Sequence, residues 1–465
     1  LTVANLAPLM FLGLVAFLLL GYPVAFALAA NGLVFAGIGI AAGLFDVSLL
    51  HALPERVYGI VANPTLLAIP FFTFMGLILE RSGMAEDLLD TVGQLFGSMR
   101  GGLAYAVVLV GGLLAATTGV VAATVIAMGL ISLPVMLRYG YDKRLAAGVI
   151  AASGTLAQIV PPSLVLIVLA DQLGASVGDM YKGALIPGLT LLALYLAFVF
   201  LVTLVRPAAA PALPAFARTL HGPALLLRVF TTLLPPLVLI FLVLGTIFLG
   251  VATPTEGGAM GAAGALLLAL ARGRLSRMQL MQAMDSTTRL TTFVIFILVG
   301  STVFALVFRG MDGDVWVEHL FSQLPGGVLG FLIMVNLLVF VLAFFLDFFE
   351  IAFIVVPLVG PIAAKLGIDP IWFGVMLAVN MQTAFMHPPF GFALFYLKSV
   401  APKNIRTADI YWGALPFLAI QVLMVALVLA FPQIVLRDAP MDAGSVSEIP
   451  LDVDPDANFL PREWR

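Results

Sequence analysis

The sequence predicts an all-α polytopic membrane protein built as two inverted repeats, each carrying a re-entrant hairpin and a broken helix. Three observations carry that prediction. Of 465 residues, 62% are apolar and only 10% charged, against roughly 45–50% and about 25% in a soluble domain. Apolar stretches long enough to cross a bilayer, about 20 residues each, recur along the whole chain. Finally, a set of Gly, Asp and Pro landmarks occurs twice, once in each half. The composition also excludes functions. Mean hydropathy is +1.14, which rules out a soluble enzyme. A net charge of −3 is the wrong sign for a nucleic-acid binder. With no cysteine, disulfides, thiolate nucleophiles and Cys-ligated metals are excluded.

In chain order, full spans are expected near 5–20, 24–43, 64–80, 145–170, 184–205, 231–250, 255–271, 288–308, 370–398 and 411–435. The stretches 101–137 and 326–364 are too long for one helix and are interrupted near their middles. Both read as hairpins that enter and leave on one side, a geometry tolerated only where protein or a cavity surrounds the backbone. Residues 82–100 place Met84, Leu88, Leu95 and Phe96 at helical spacing opposite Glu86, Asp87 and Asp90, as in an interfacial helix. The Pro- and Ala-rich stretch 206–230 reads as a linker, and the acidic tail after 436 as disordered. His51, His221 and His319 fall in expected loops.

Ten spans with both termini outside leave only seven of the 22 basic residues on the outer side, as the positive-inside rule favours. That orientation makes the repeats inverted. Gly101-Gly102 and Gly326-Gly327 open the two hairpins. Pro134 and Pro357 stand in their second arms. Gly140-Tyr-Asp142 and Gly367-Ile-Asp369 precede the two long spans, which break at Pro161-Pro162 and Pro388-Pro389. The organisation that follows is 1–63, N-terminal helices; 64–205, first repeat; 206–287, linker and helices; 288–435, second repeat; and 436–465, tail. Inverted repeats with helices broken at matching positions point to a secondary transporter, its site between the breaks.

The breaks supply chemistry. Proline lacks an N–H, so Pro161 and Pro162 free the carbonyls of Ala157 and Gln158, and Pro388 and Pro389 those of Ala384 and Phe385. Freed carbonyls in hydrocarbon are costly unless satisfied, and a desolvated cation such as Na⁺ would do so. Ser153, Thr155 and Gln158 stand beside one break, Asn380, Gln382 and Thr383 beside the other. The simpler reading is a Pro kink satisfied by Ser, Thr or water. The first hairpin tip, Thr117-Thr118-Gly119 to Thr124, would present the start of a returning half-helix, whose partial positive charge suits a carboxylate. At the second tip, Asp347 and Glu350 have capping-box spacing but are also acids at membrane depth; capping and direct contact both stay open. His387 reads as a polar lining residue. Glu256, in Thr253-Pro-Thr-Glu256, reads as helix-start chemistry. No phosphate loop occurs, so energy must come from an ion gradient or a partner.

Ile69-Pro-Phe-Phe-Thr-Phe-Met-Gly76, Gly148 to Ser163 with its Gln-Ile-Val-Pro-Pro, Ala252-Thr-Pro-Thr-Glu-Gly257, Gly367 to Gly374 and Pro388-Pro-Phe-Gly391 together resemble the large membrane subunit of TRAP transporters (tripartite ATP-independent periplasmic transporters). The resemblance spans residues 5–435. It implies an elevator-type ion-transporter fold in the bacterial inner membrane, importing organic acids such as C4-dicarboxylates, sialic acid or 2-oxo acids with Na⁺. It also implies a periplasmic substrate-binding protein and a separate small four-helix membrane subunit. Carried over by position, the Na⁺ candidates are Thr124, Ser153, Gly154, Thr155 and Ala157 in one half and Asp347, Glu350, Asn380, Thr383 and Ala384 in the other, giving two or more sites. Thr117, Thr118, Gly119, Gln158, Gln382 and His387 are the expected substrate contacts. The chain departs from the family at Val120 and Val121, where hydroxyl residues are common. Its second tip and Met-Gln-Thr-Ala-Phe-Met-His387 resemble a subgroup labelled for mannitol or chloroaromatic compounds; small monocarboxylates or 2-oxo acids fit equally. The alternative is a stand-alone ion-coupled carrier or antiporter that needs no binding protein.

Overall fold

The computed structural model describes residues 3–323 and 325–436, and every regular element among them is helical. The expected tail after 436 and the side chain of Thr118 lie outside the described residues. The first half contains α1 (Val3–Leu19), α2 (Val24–Ala41), α3 (Leu53–Val61), α4 (Ala68–Arg81), α5 (Met84–Phe96), α6 (Gly102–Thr118), α7 (Val121–Arg138), α8 (Lys143–Thr155), α9 (Leu164–Leu173) and α10 (Val177–Val205). The second contains α11 (Gly222–Phe248), α12 (Pro254–Ala271), α13 (Arg277–Gly310), α14 (Gly313–Ser322), α15 (Gly327–Leu342), α16 (Phe348–Ile354), α17 (Val356–Lys365), α18 (Pro370–Met381), α19 (Phe392–Val400) and α20 (Thr407–Ala430). Among the described residues, seven helical stretches are long and apolar enough to cross a membrane, eight if the bent pair α16–α17 counts as one. The two broken spans are each assembled from helices too short to cross alone.

The repeated landmarks do the same backbone work in each half. Gly101 and Gly326, at φ +78° and +96°, stand immediately before α6 and α15. Asp142 accepts hydrogen bonds from the amides of Arg144 (2.9 Å) and Leu145 (3.1 Å) and so caps α8. Asp369 does likewise for α18, from Ile371 (2.8 Å) and Trp372 (3.0 Å). Both Pro-Pro bonds are cis. The hairpin prolines diverge. Pro134 stays inside the single helix α7, whereas the second hairpin's returning arm bends by 52° between α16 and α17. Pro357 sits in the first turn of α17 and cannot donate to Phe353; the hydroxyl of Ser301 on α13 takes that carbonyl at 2.5 Å instead.

Several sequence expectations need correction. The linker ends at 221 rather than 230, because α11 starts at Gly222 with Pro223 in its first turn, and the next residues are mostly apolar helix formers. The span expected at 288–308 belongs to the much longer α13, whose start at Arg277 is fixed by a capping box between Ser276 and Gln279. Helices unanticipated in the sequence reading fill 47–61, and α14 follows α13, so His51 and His319 lie in helical turns rather than loops. In α5 the acids are not simply solvated: Asp87 pairs with Arg274 (2.6 Å) and Arg228 (3.7 Å), and Asp90 with Arg228 (3.6 Å). The Arg228 pairs hold α5 against α11 and the Arg274 pair ties it to the turn after α12, and Leu95, expected on its buried face, is exposed.

Packing favours two groups of helices, which touch where α4 lies on α6 and α13 on α16. Helix α4 lies on α12 and α13, and α13 on α2. Separately, α8 packs on α7, α6 and α20, α18 on α9, α15 and α20, and α10 on α6, α9, α18 and α20. The α8–α20 crossing is a backbone contact: a methyl group on Gly148 would collide with the Gly413 carbonyl. Small residues permit this approach, which in a membrane stands in for hydrophobic driving force.

Candidate functional site

The site is built where the two broken spans meet. Helix α8 runs into a short 3₁₀ turn, Leu156–Gln158, then the Pro pair, then α9; α18 runs into Gln382–Phe385, its Pro pair, and α19. The first half of each span packs against the second half of the other, α8 with α19 and α18 with α9, as two antiparallel segments do.

Each hairpin tip sits on the break of its own half. At the first, Gly119 in left-handed conformation (φ +57°) lies against the Pro162 carbonyl and Leu164. At the second, the ring of Phe344 stacks on His387 (centroids 4.1 Å apart) and Phe345 approaches Phe390 (6.3 Å). His387 is wholly buried, also against Phe340 at 4.5 Å.

The two breaks are joined by a buried polar network. Thr155 Oγ1 accepts from Gln382 Nε2 (3.0 Å) and from Gln421 Nε2 (3.1 Å), while Gln421 Nε2 also donates to the Tyr195 hydroxyl (2.9 Å). Thr155 itself donates to Ala152 O at 2.8 Å, so its hydroxyl is fully used. Four elements thus converge: α8, the turn after α18, α20 and α10. The sequence reading named Thr155 and Gln382 but missed Gln421 and Tyr195, which stand in long apolar spans with no motif around them. A buried glutamine inside a span was the available signal.

A second network lies beside α15. Asn380 Nδ2 donates to the Asn336 carbonyl and side-chain oxygens, both at 2.8 Å, and Thr383 Oγ1 donates to Asn380 O at 2.7 Å. Asn336 was also missed. In the first half, Ser153 donates to Val149 O (2.6 Å), Thr117 to Leu114 O (2.9 Å) and Thr124 to Val120 O (3.1 Å). A hydroxyl that gives its proton to its own helix turns its lone pairs outward.

The Pro-freed carbonyls meet different fates. That of Gln158 accepts the Ser163 hydroxyl at 2.6 Å, so here the simple kink reading holds. No described residue donates to the carbonyls of Ala157, Ala384 or Phe385. Nearby, the side-chain oxygens of Gln158, Gln382 and Gln421 are buried without hydrogen-bond partners among the described residues. This donor set of neutral oxygens suits a hard monovalent cation, and among the described residues no cluster of acids and histidines suggests a tightly held divalent metal.

The tips differ. Asp347 and Glu350 form a reciprocal capping box: the Glu350 amide donates to Asp347 (2.8 Å) and the Asp347 amide to Glu350 (2.9 Å). Neither carboxylate hydrogen-bonds to Asn380 or Thr383. At the first tip α7 follows Val120, which offers no side-chain cap.

A family profile described as "Tripartite ATP-independent periplasmic transporter, DctM component" matches residues 11–434. The chain belongs to this family. The TRAP large permeases are binding-protein-dependent secondary transporters, so this is a multi-pass protein of the bacterial inner membrane and a permease rather than an enzyme. The family implies a periplasmic binding protein and a small membrane partner. The TRAP permease is 31% identical to the C4-dicarboxylate TRAP transporter large permease protein DctM of Pseudomonas aeruginosa, covering 84% of this chain and 90% of that one. It is 28% identical to the sialic acid TRAP transporter large permease protein SiaM of Vibrio cholerae, covering 87% and 95%. In fold it is similar to the crystal structure of the Alcanivorax borkumensis YdaH transporter, with TM-score 0.59 over 84% of this chain and 90% of that chain at 16% identity.

Proposed function

We propose that this TRAP permease imports a small organic acid anion, handed over by its periplasmic binding protein, in symport with Na⁺ and by an elevator motion. The observation that carries the reading is the meeting of two broken spans at a shared polar network, with unsatisfied carbonyls on both sides. Na⁺ would be held by the Ala157 carbonyl and Ser153 in one half, and by the Ala384 carbonyl, Thr383 and Asn380 in the other. Thr155 acts as the acceptor that ties the halves together rather than as a ligand. Lying on its own break, the start of α7 after Gly119 would turn its positive dipole end toward a carboxylate, with Gln158, Gln382 and His387 lining the approach. Both relatives are named for carboxylate substrates, C4-dicarboxylate and sialic acid, which supports an organic acid without choosing one. The moving part would be the group α6–α10 with α15–α20, sliding against α2, α4, α12 and α13. Both termini would face the periplasm, and α6–α7 and α15–α17 would be re-entrant hairpins of inverted repeats.

The test is uptake into proteoliposomes holding this chain and its small subunit. Uptake should require both an inward Na⁺ gradient and the cognate binding protein. Equal uptake under K⁺ would remove Na⁺ coupling, and uptake without the binding protein would return the stand-alone carrier.

A further inference from the structure

The ends of α8, α10 and α20 enclose a cleft of about 440 Å³. Helix α8 starts there, α10 ends there and α20 starts there, so in a membrane-spanning bundle the cleft sits at the boundary between hydrocarbon and water. Its rim carries Arg144 and Arg206, both exposed. Among the described residues neither guanidinium has a carboxylate within ion-pair distance, whereas Arg228, Arg274, Arg289 and Arg406 each do. The one acid in the lining, Asp142, already accepts two amides at the start of α8, where the helix dipole offsets its charge. Below the rim the wall is apolar. Val205 is 69% exposed and Leu201 55%, with Phe198 and Phe417 behind them and Trp412 at the edge.

The other ends of α10 and α20 provide an internal control. A cleft of about 570 Å³ lies where α10 and α18 start and α20 has just ended. Its one cation, Lys182, is paired with Asp179 at 3.5 Å. Matching packing therefore yields two clefts, and unpaired guanidiniums in only one of them.

We propose that the Arg144–Arg206 cleft binds an anionic phospholipid. Two guanidiniums can take the non-bridging oxygens of one phosphodiester, an acyl chain fits the apolar wall, and basic pockets between spans recognise anionic head groups. A small soluble phosphate would use the arginines and leave the wall wet. The lipid would bridge α8, α10 and α20, the three helices that bring Thr155, Tyr195 and Gln421 together, so its binding braces the network between the breaks. Any ligand that prefers the folded state raises its stability.

The experiment uses the purified, delipidated full chain in neutral detergent. Thermal unfolding and native mass spectrometry are read with added dioleoylphosphatidylglycerol, dioleoylphosphatidylcholine or glycerol phosphate. We expect phosphatidylglycerol alone to raise Tm by several degrees and to stay bound. The shift should persist in Lys182→Ala and disappear in Arg144→Ala/Arg206→Ala. It should also disappear in Leu201→Trp, which fills the apolar wall but keeps both arginines and so decides the matter if the double variant does not fold. An equal shift with phosphatidylcholine, an equal shift with glycerol phosphate, or a retained shift in either cleft variant overturns the proposal.

Discussion

The two hairpin tips occupy matching places in the chain and solve the start of the returning helix in opposite ways. The second closes on itself: Asp347 and Glu350 satisfy each other's amides, and an aromatic wall of Phe344, Phe345 and His387 seals it to the break. The first leaves α7 without a side-chain cap and turns through Gly119 alone. A helix start that caps itself is structurally complete. On the proposed reading the second tip anchors and the first receives the anion.

Substitutions at five positions test that contrast. The largest effect is expected where the halves join. Thr155→Val removes the acceptor shared by Gln382 and Gln421 and strands the buried Gln382 amide, while Gln421 keeps the Tyr195 hydroxyl, costing about 2 kcal/mol; thermal unfolding in detergent should show it, together with loss of uptake. Unchanged stability would mean the halves are not coupled through this residue. Next, Asp347→Ala should destabilise by about 1–2 kcal/mol through loss of the cap, while Asp347→Asn, which can still cap, should recover most of it. If Asn fails to rescue stability, the charge rather than the cap matters there.

Third, Val120→Asp gives the first tip the carboxylate it lacks. With the helix start occupied, KM for the organic acid should rise about tenfold, equivalent to about 1.4 kcal/mol. An unaltered KM would place the substrate elsewhere. The smallest effects belong to the two hydroxyls. Ser153→Ala and Thr383→Ala should each raise the Na⁺ concentration for half-maximal uptake about threefold, since each removes one neutral oxygen among several. Sensitivity in one half alone would show that the two sides are not equivalent ion sites.

Much of this architecture was legible in the sequence because its causes are local. A Gly needed at positive φ before α6 and α15, an Asp able to cap α8 and α18, and Pro pairs that free carbonyls are marked by residue type; which Pro pair ends its helix is not, since Pro235-Pro236 stay inside α11. The capping box of Asp347 and Glu350 was equally readable from its spacing. Where the causes were distant the reading failed. Pro134 and Pro357 look alike in sequence, yet only the second arm bends, and there Ser301 from another helix receives the released carbonyl. Likewise, α11 and α13 extend beyond their apolar cores, and a polar residue in the second turn of each finds a partner on α5 or α4. Arg228 of α11 pairs with Asp87, and Gln282 of α13 accepts from Arg81 at 2.7 Å.

By itself the sequence determined the class, the repeat, the positions of both breaks and the neutral, hydroxyl- and amide-rich chemistry beside them, since backbone valence and bilayer thickness act along the chain. Only the tertiary structure decided that the breaks meet, that Gln421 and Tyr195 belong with Thr155 and Gln382, and that Asn336 backs Asn380. Residues more than 200 positions apart become neighbours through helix packing, and packing is set by surfaces that no local pattern records.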